Sequence, residues 1–456
     1  MERERLGSRL GFILLSAGCA IGVGNVWKFP YMTGQYGGGA FVLVYLLCLI
    51  LLGVPVMTME FALGRASQKS PVKLYDALAK KGSKWHLHGY AAMAGNYILM
   101  FFYTIVTGWM VRYFVDMATG KFAGASVEEV GNMFGQMMSQ PVALIVYMAI
   151  VVFIGILVCS LGVQKGVEKI SKPMMLALLA IMVILAFNSV FLPGAAEGVK
   201  FYLIPDFKRM AEIGIGEVVV GAMNQSFFTL SLGIGSMAIF GSYLGKDRSL
   251  MGEAVNVAVL DTFVALCAGM IIFPACFAYG VQPDSGPNLI FITLPNVFQQ
   301  AFGAVPFLAT IFSLMFYILL ALAALTSTIS MHEVVTAYLN EQFGWKRSRA
   351  AILVTAFCAI TGILSSLSLG IWDAKIFGLS CFDFLDFVTA KLMLPLGGLL
   401  VAVFVGWYLK RSISYGELTN YGKDKAAYFP VYMFIIKYVA PVAIAMIFIN
   451  ELGLLP

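Results

Sequence analysis

An all-α polytopic membrane protein is the fold class this sequence predicts, and three observations predict it. Of 456 residues, 60% are hydrophobic and only 12% are charged, whereas soluble domains run near half apolar and a quarter charged. Apolar stretches that reach the ~20 residues needed to cross a bilayer recur along the chain with short polar gaps. Two of these stretches carry a Gly-x-Gly interruption near their middle: Gly22-Val23-Gly24 and Gly233-Ile234-Gly235. A large soluble enzyme, a disordered chain and a disulfide scaffold are excluded by the same composition.

Eleven spans are expected, at about 10–33, 41–64, 88–115, 141–161, 173–192, 217–243, 254–280, 306–339, 350–367, 378–409 and 430–450. They leave no room for a separate soluble domain, so residues 1–456 read as a single transmembrane unit. The charged segment Met1–Arg9 is too short and too polar to be a cleavable leader, so the first span is retained. All seven cysteines fall within or at the edge of spans, which points away from an extracellular disulfide framework. The net charge of +6 is a topology signal and no nucleic-acid signature. With the N-terminus inside, 21 of the 30 Lys and Arg residues fall on cytoplasmic segments. Eleven spans then put the C-terminus outside.

Within lipid, backbone leaves the helix only where protein or a water-filled cavity satisfies its polar groups. The first span breaks at Ala17 to Asn25 and the sixth at Thr229 to Ser236, both among small or hydroxylated residues. Spans 1–5 (about 10–192) and 6–10 (about 217–409) therefore read as two repeats, each opened by a broken helix. The eleventh helix, about 430–450, is an addition. Paired breaks at matching positions of two halves point to a transporter binding site. Broken half-helices aim N–H groups at an anionic ligand group, and the freed carbonyls suit a hard cation. Neighbouring spans supply more oxygen: Asp261 in the seventh, Thr326 and Ser327 in the eighth. An ionisable residue inside a span is a functional candidate by default. Thr326 and Ser327 also have a simpler reading, as hydroxyls bonded back to the preceding turn.

The ordered set Gly18–Pro30, Gly37–Phe41, Gly53-Val54-Pro55, Glu60, Gln225–Gly233 and Ala323–Ser327 resembles the bacterial neurotransmitter:sodium symporters. The resemblance runs over nearly the whole chain. It implies the 5+5 inverted-repeat fold of the leucine transporter, itself a standard example of broken membrane helices. Two sodium sites follow from it. The first would use the Ala20 carbonyl, Asn25, Thr229 and Asp261, with the substrate carboxylate as a further ligand. The second would use the carbonyls of Gly18, Ile21 and Ala323 with the hydroxyls of Thr326 and Ser327. Ligation of the first ion by the substrate would couple the two binding free energies reciprocally.

For the substrate, the resemblance implies that backbone at Ile21, Gly22 and Gly24 and the Tyr103 hydroxyl take a carboxylate. Carbonyls of Ala20, Phe228 and Thr229, with Ser231, would take the amino group. Leu99, Phe228, Ile234, Ser327 and Met331 would line the side-chain pocket. Monoamine-carrying members have an aspartate where Gly22 stands. Lys28 and Asp386 resemble an outer charged gate, with lysine in place of the more usual, bidentate arginine. Arg3 and Glu341, near Ser242 and Tyr243, resemble an inner gate, although Leu6 replaces the usual tryptophan. Asp261 stands where chloride-dependent members have asparagine, and Ala265 where they have serine. A fixed carboxylate among Tyr45, Gln225 and Thr229 implies that no chloride is needed. Asp261 can also be read as a proton carrier. Pro173 reads either as an ordinary helix-start proline or as a point where the fifth span unwinds.

The expected function is therefore sodium-coupled symport of a neutral, hydrophobic amino acid by alternating access. The expected setting is a bacterial cytoplasmic membrane, the chain acting as a monomer or weak dimer. A proton-coupled relative of the same fold is the alternative, and it would place titratable groups where Thr326 and Ser327 stand. A channel would need a filter motif, which is missing from the sequence. A metal hydrolase would need paired ligands, yet His332 has no second histidine at ligand spacing and His86 and His88 fall in a predicted loop. The sequence reads as a transporter and not an enzyme.

Overall fold

The computed structural model describes residues 6–122, 125–278, 280, 289–295, 297, 306–368, 372, 375–424 and 427–453. Among them, nine helices are long and apolar enough to cross a membrane: Gly39–Ser67, His86–Ala118, Pro141–Ser160, Val163–Val190, Leu250–Ala278, Thr310–Phe343, Arg347–Leu367, Cys381–Tyr408 and Phe429–Glu451. A tenth crossing is the bent pair Arg9–Ala20 and Gly24–Gln35, whose axes differ by 56°. The sixth expected span is two shorter helices, Ile215–Thr229 and Ser236–Gly241. The eleven expected spans are thus all helical, and the two expected to break are broken.

The breaks have local causes. Ser8 caps the first helix by accepting the Gly11 N–H, and the helix stops where Ile21 turns extended. Chain direction then changes through Gly22 and resumes in a wide helical turn from Gly24. In the sixth span Ser231, Gly233 and Gly235 hold φ of 52°, 93° and 77°. The left-handed region is open to glycine at little cost. At Gly233 glycine is also needed for space, since a Cβ would lie 2.3 Å from the Leu394 carbonyl oxygen.

The fifth span departs from expectation. Its helix starts at Val163, just after Gly162 (φ 92°), and Pro173 lies inside the continuous helix Lys169–Val190. Ten residues after Val163, Pro173 removes one intrahelical N–H bond without breaking the span, so it is neither a helix-start proline nor an unwound point here.

Spans 3 and 8 pack along one another at the centre of the bundle, and span 1 packs against span 8. Spans 4, 5, 9 and 11 keep less than half of their apolar length buried. Val142, Phe187 and Val431 are among the large apolar side chains they expose, as helices facing lipid must. Arg65, at the far end of span 2, is fully buried and pairs with Glu417 at 2.5 Å. It also donates to the Arg248 and Glu417 carbonyls, each at 2.6 Å, and to Asn420 at 2.9 Å. This clamp ties span 2 to the segments that follow spans 6 and 10.

Candidate substrate and ion site

The two breaks meet at one cavity. It is lined by Ala20, Gly22 and Gly24 from span 1, Leu99 and Tyr103 from span 3, and Phe228, Thr229, Ser231, Ile234 and Ser236 from span 6. Ser327 and Met331 from span 8 and Leu394 from span 10 complete the wall. Most of the expected substrate residues are therefore side by side. Cys19, Ser236 and Leu394 also line the cavity and were not expected there. Cys19 adjoins Ala20, but only the helical turn shows which of its neighbours faces inward.

At one end of the cavity the broken backbone of span 1 meets Tyr103 and Ser327. The Tyr103 hydroxyl lies 3.1 Å from the Val23 N–H, which donates to it. A Cβ on Gly22 would stand 2.5 Å from that hydroxyl and 2.8 Å from Ser327 Oγ. The Gly24 position is bounded by the Phe228 ring in the same way, at 2.8 Å. The walls formed by Leu99, Phe228, Ile234 and Met331 are apolar, so the cavity joins a polar end to a greasy one.

Beside the polar end, three spans share a buried polar knot. Asn25 donates to Thr229 Oγ1 at 3.0 Å and to Asp261 Oδ1 at 2.8 Å. The Thr229 hydroxyl donates to Asp261 Oδ2 at 2.9 Å. The Asn25 side-chain oxygen, Oδ1, accepts the Gly22 N–H at 3.1 Å, which links the knot to the break. Gln225 reaches the Gly24 carbonyl at 3.4 Å. The Tyr45 hydroxyl and the Gln225 side-chain oxygen are buried here without a hydrogen-bond partner. Such orphans at a ring of oxygens fit a site that takes a small charged ligand.

The second oxygen set converges as tightly. Ser327 Oγ lies 3.1 Å from the Gly18 and Ile21 carbonyls and 3.3 Å from that of Ala323. Thr326 Oγ1 lies 3.0 Å from the Ala323 carbonyl. Back-bonding accounts for the contacts to Ala323, but not for those that cross to span 1. All five expected ligands are thus brought together by the break, and an all-oxygen shell suits a hard cation.

Glu60 supplies what the sequence reading left without a role. Its carboxylate accepts the Gly233 N–H at 2.6 Å, so span 2 holds the break of span 6 open by satisfying its freed backbone. An acidic residue deep in an apolar span was the signal.

The expected gates are partly redrawn. Lys28 and Asp386 form no direct ion pair; the ammonium sits 3.8 Å above the Phe228 ring. A lysine lacks the fork that would fix it on a carboxylate, and a desolvated ammonium is attracted by an aromatic face. At the opposite end, the Glu341 carboxylate accepts the Ser70 N–H at 2.7 Å and lies 3.6 Å from Lys69. Its expected partner Arg3 lies outside the described residues. Tyr243 donates to Glu333 at 2.6 Å, and Glu333 pairs with Arg347.

Comparison with known proteins agrees with this geometry. A model of the sodium:neurotransmitter symporter family matches residues 3–134 and 127–455. The chain belongs to that family. An uncharacterised sodium-dependent transporter of Bacillus subtilis, YhdH, is 35% identical over 98% of this chain and 97% of its own. One from Haemophilus influenzae is 31% identical over 99% and 98%. The crystal structure of MhsT in complex with L-phenylalanine superposes with a TM-score of 0.88 at 38% identity, covering 98% of this chain and all of that one. This member of the family is accordingly a sodium-dependent transporter with the leucine-transporter fold, and no enzyme.

Proposed function

We propose that this transporter is a symporter of neutral, hydrophobic amino acids, coupled to two sodium ions and working by alternating access. The observation that carries the reading is the cavity itself, with the broken backbone of span 1 and the Tyr103 hydroxyl at one end and Leu99, Phe228, Ile234 and Met331 at the other. An amino acid would place its carboxylate at Gly22 to Gly24, its amine near the Phe228 and Thr229 carbonyls and Ser231, and its side chain among the apolar residues. The similar protein MhsT was crystallised with L-phenylalanine, which fits the same division. One ion would sit at Ala20, Asn25, Thr229 and Asp261, where the substrate carboxylate can join its shell. The other would sit at Gly18, Ile21, Ala323, Thr326 and Ser327.

Binding of each ligand then strengthens the other by a shared free energy. The bias of positive charge toward one set of connecting segments supports an N-terminus in the cytoplasm and a C-terminus outside a bacterial cytoplasmic membrane. Residues 10–192 and 217–409 act as the two repeats that rock about the central site. The decisive experiment is binding of each of the twenty amino acids to purified protein with and without sodium. Hydrophobic amino acids should bind, and only with sodium. Equal binding in choline, or a preference for charged amino acids, would refute the reading.

A further inference from the structure

The last helix reaches into the outer end of the binding region. Glu451, at the end of Phe429–Glu451, accepts a hydrogen bond from the Asn224 side chain on the outer half of span 6. Its second carboxylate oxygen lies 3.2 Å from Lys391 Nζ on span 10. Asn224 is buried and immediately precedes Gln225, which reaches the Gly24 carbonyl at the break of span 1. Asp386, Glu451 and Lys391 all act electrostatically on Lys28, which itself covers the Phe228 ring over the cavity.

We infer that Glu451 is a positioning residue of the outer gate, a latch through which the final helix holds the outer half of span 6 against span 10 while the cavity is closed. Three helices converge on one carboxylate, and two of them also line the cavity. If the outer half of span 6 swings away to admit substrate, the charged bond to Asn224 is lost together with the approach to Lys391. Hydrogen bonds to a charged group are the stronger kind, so the latch biases the equilibrium toward the closed state. The inference rests on the alternating-access reading.

The test uses the full-length protein in lipid nanodiscs, spin-labelled at Glu212→Cys and Lys375→Cys, and double electron–electron resonance. Glu212 is exposed on the helix leading into span 6, and Lys375 is exposed ahead of span 10. With sodium and leucine the wild type should show mostly the short distance. Glu451→Gln keeps a hydrogen-bonding amide but no charge, and should raise the ratio of long to short distances about fivefold to tenfold, a shift on the scale of a kilocalorie per mole. Lys391→Met should act in the same direction, and adding it to Glu451→Gln should change little more. Glu451→Lys combined with Lys391→Glu should restore the short distance, which a merely structural effect would not do. A distribution in Glu451→Gln equal to wild type, while wild type still responds to sodium and leucine, would overturn the latch alone. A wild type that never changes distance would overturn alternating access and the latch with it.

Discussion

The Asn25 amide nitrogen of span 1 lies 2.8 Å from a carboxylate oxygen of Asp261 on span 7. Thr229 of span 6 closes the triangle, bonded to both. The two broken helices are therefore tied to one buried carboxyl group. A carboxylate placed there attracts a cation without help from a mobile anion.

Transport should for this reason be indifferent to chloride. Sodium-driven uptake into proteoliposomes is expected to be equal in chloride and gluconate buffers. Asp261→Asn removes the charge and should lose most of the activity in either buffer. Collapse of wild-type uptake in gluconate would show that the carboxylate does not do the work of an anion.

Sodium affinity should depend on the hydroxyls of span 8. Ser327 already lies within hydrogen-bond distance of three of the carbonyls expected to surround the ion. Ser327→Ala together with Thr326→Val should abolish sodium-driven uptake and leave a folded protein. Ser327→Ala alone should weaken sodium binding about tenfold, as loss of an interaction near 1–2 kcal/mol would. Uptake by the double variant at the wild-type rate would remove these residues from the ion site.

Gly22 should read the carboxylate of the substrate. A methyl group there meets Tyr103 and Ser327 below any normal contact distance, so Gly22→Ala should abolish amino-acid binding with little change in melting temperature. In wild type, tryptamine and isoamylamine should fail to displace a bound amino acid that tryptophan or leucine displaces. Equal competition by amine and amino acid would exclude a carboxylate-reading site.

Arg65 and Glu417 are both fully buried, and each is the other's counter-charge. Removing one partner leaves an uncompensated charge, at a cost of about 3–5 kcal/mol. Glu417→Leu should therefore lower the melting temperature sharply. Arg65→Met with Glu417→Leu should lower it less than Glu417→Leu alone. Equal losses would mean that the hydrogen bonds of Arg65 to the Arg248 carbonyl and Asn420, and not the charge pair, hold this corner.

Much of the molecule is determined by the sequence itself. Span number follows from hydropathy because the bilayer fixes the length that must be apolar. The two breaks follow because glycine and small residues in mid-span are local signals, and freed backbone there needs a cavity. Asp261, Thr326 and Ser327 stand out as polar groups that lipid would penalise unless they served a site, whereas the roles of Asn25 and Gly22 come from the family resemblance. Which charge meets which partner was decided only by tertiary structure. Lys28 rests on Phe228 and not on Asp386, Glu60 bonds the Gly233 backbone, and Glu451 spans from the last helix to Asn224. Each of these contacts joins residues of different spans. Their choice depends on helix crossing distances of a few ångströms, set by the packing of whole side-chain surfaces, which no local pattern encodes.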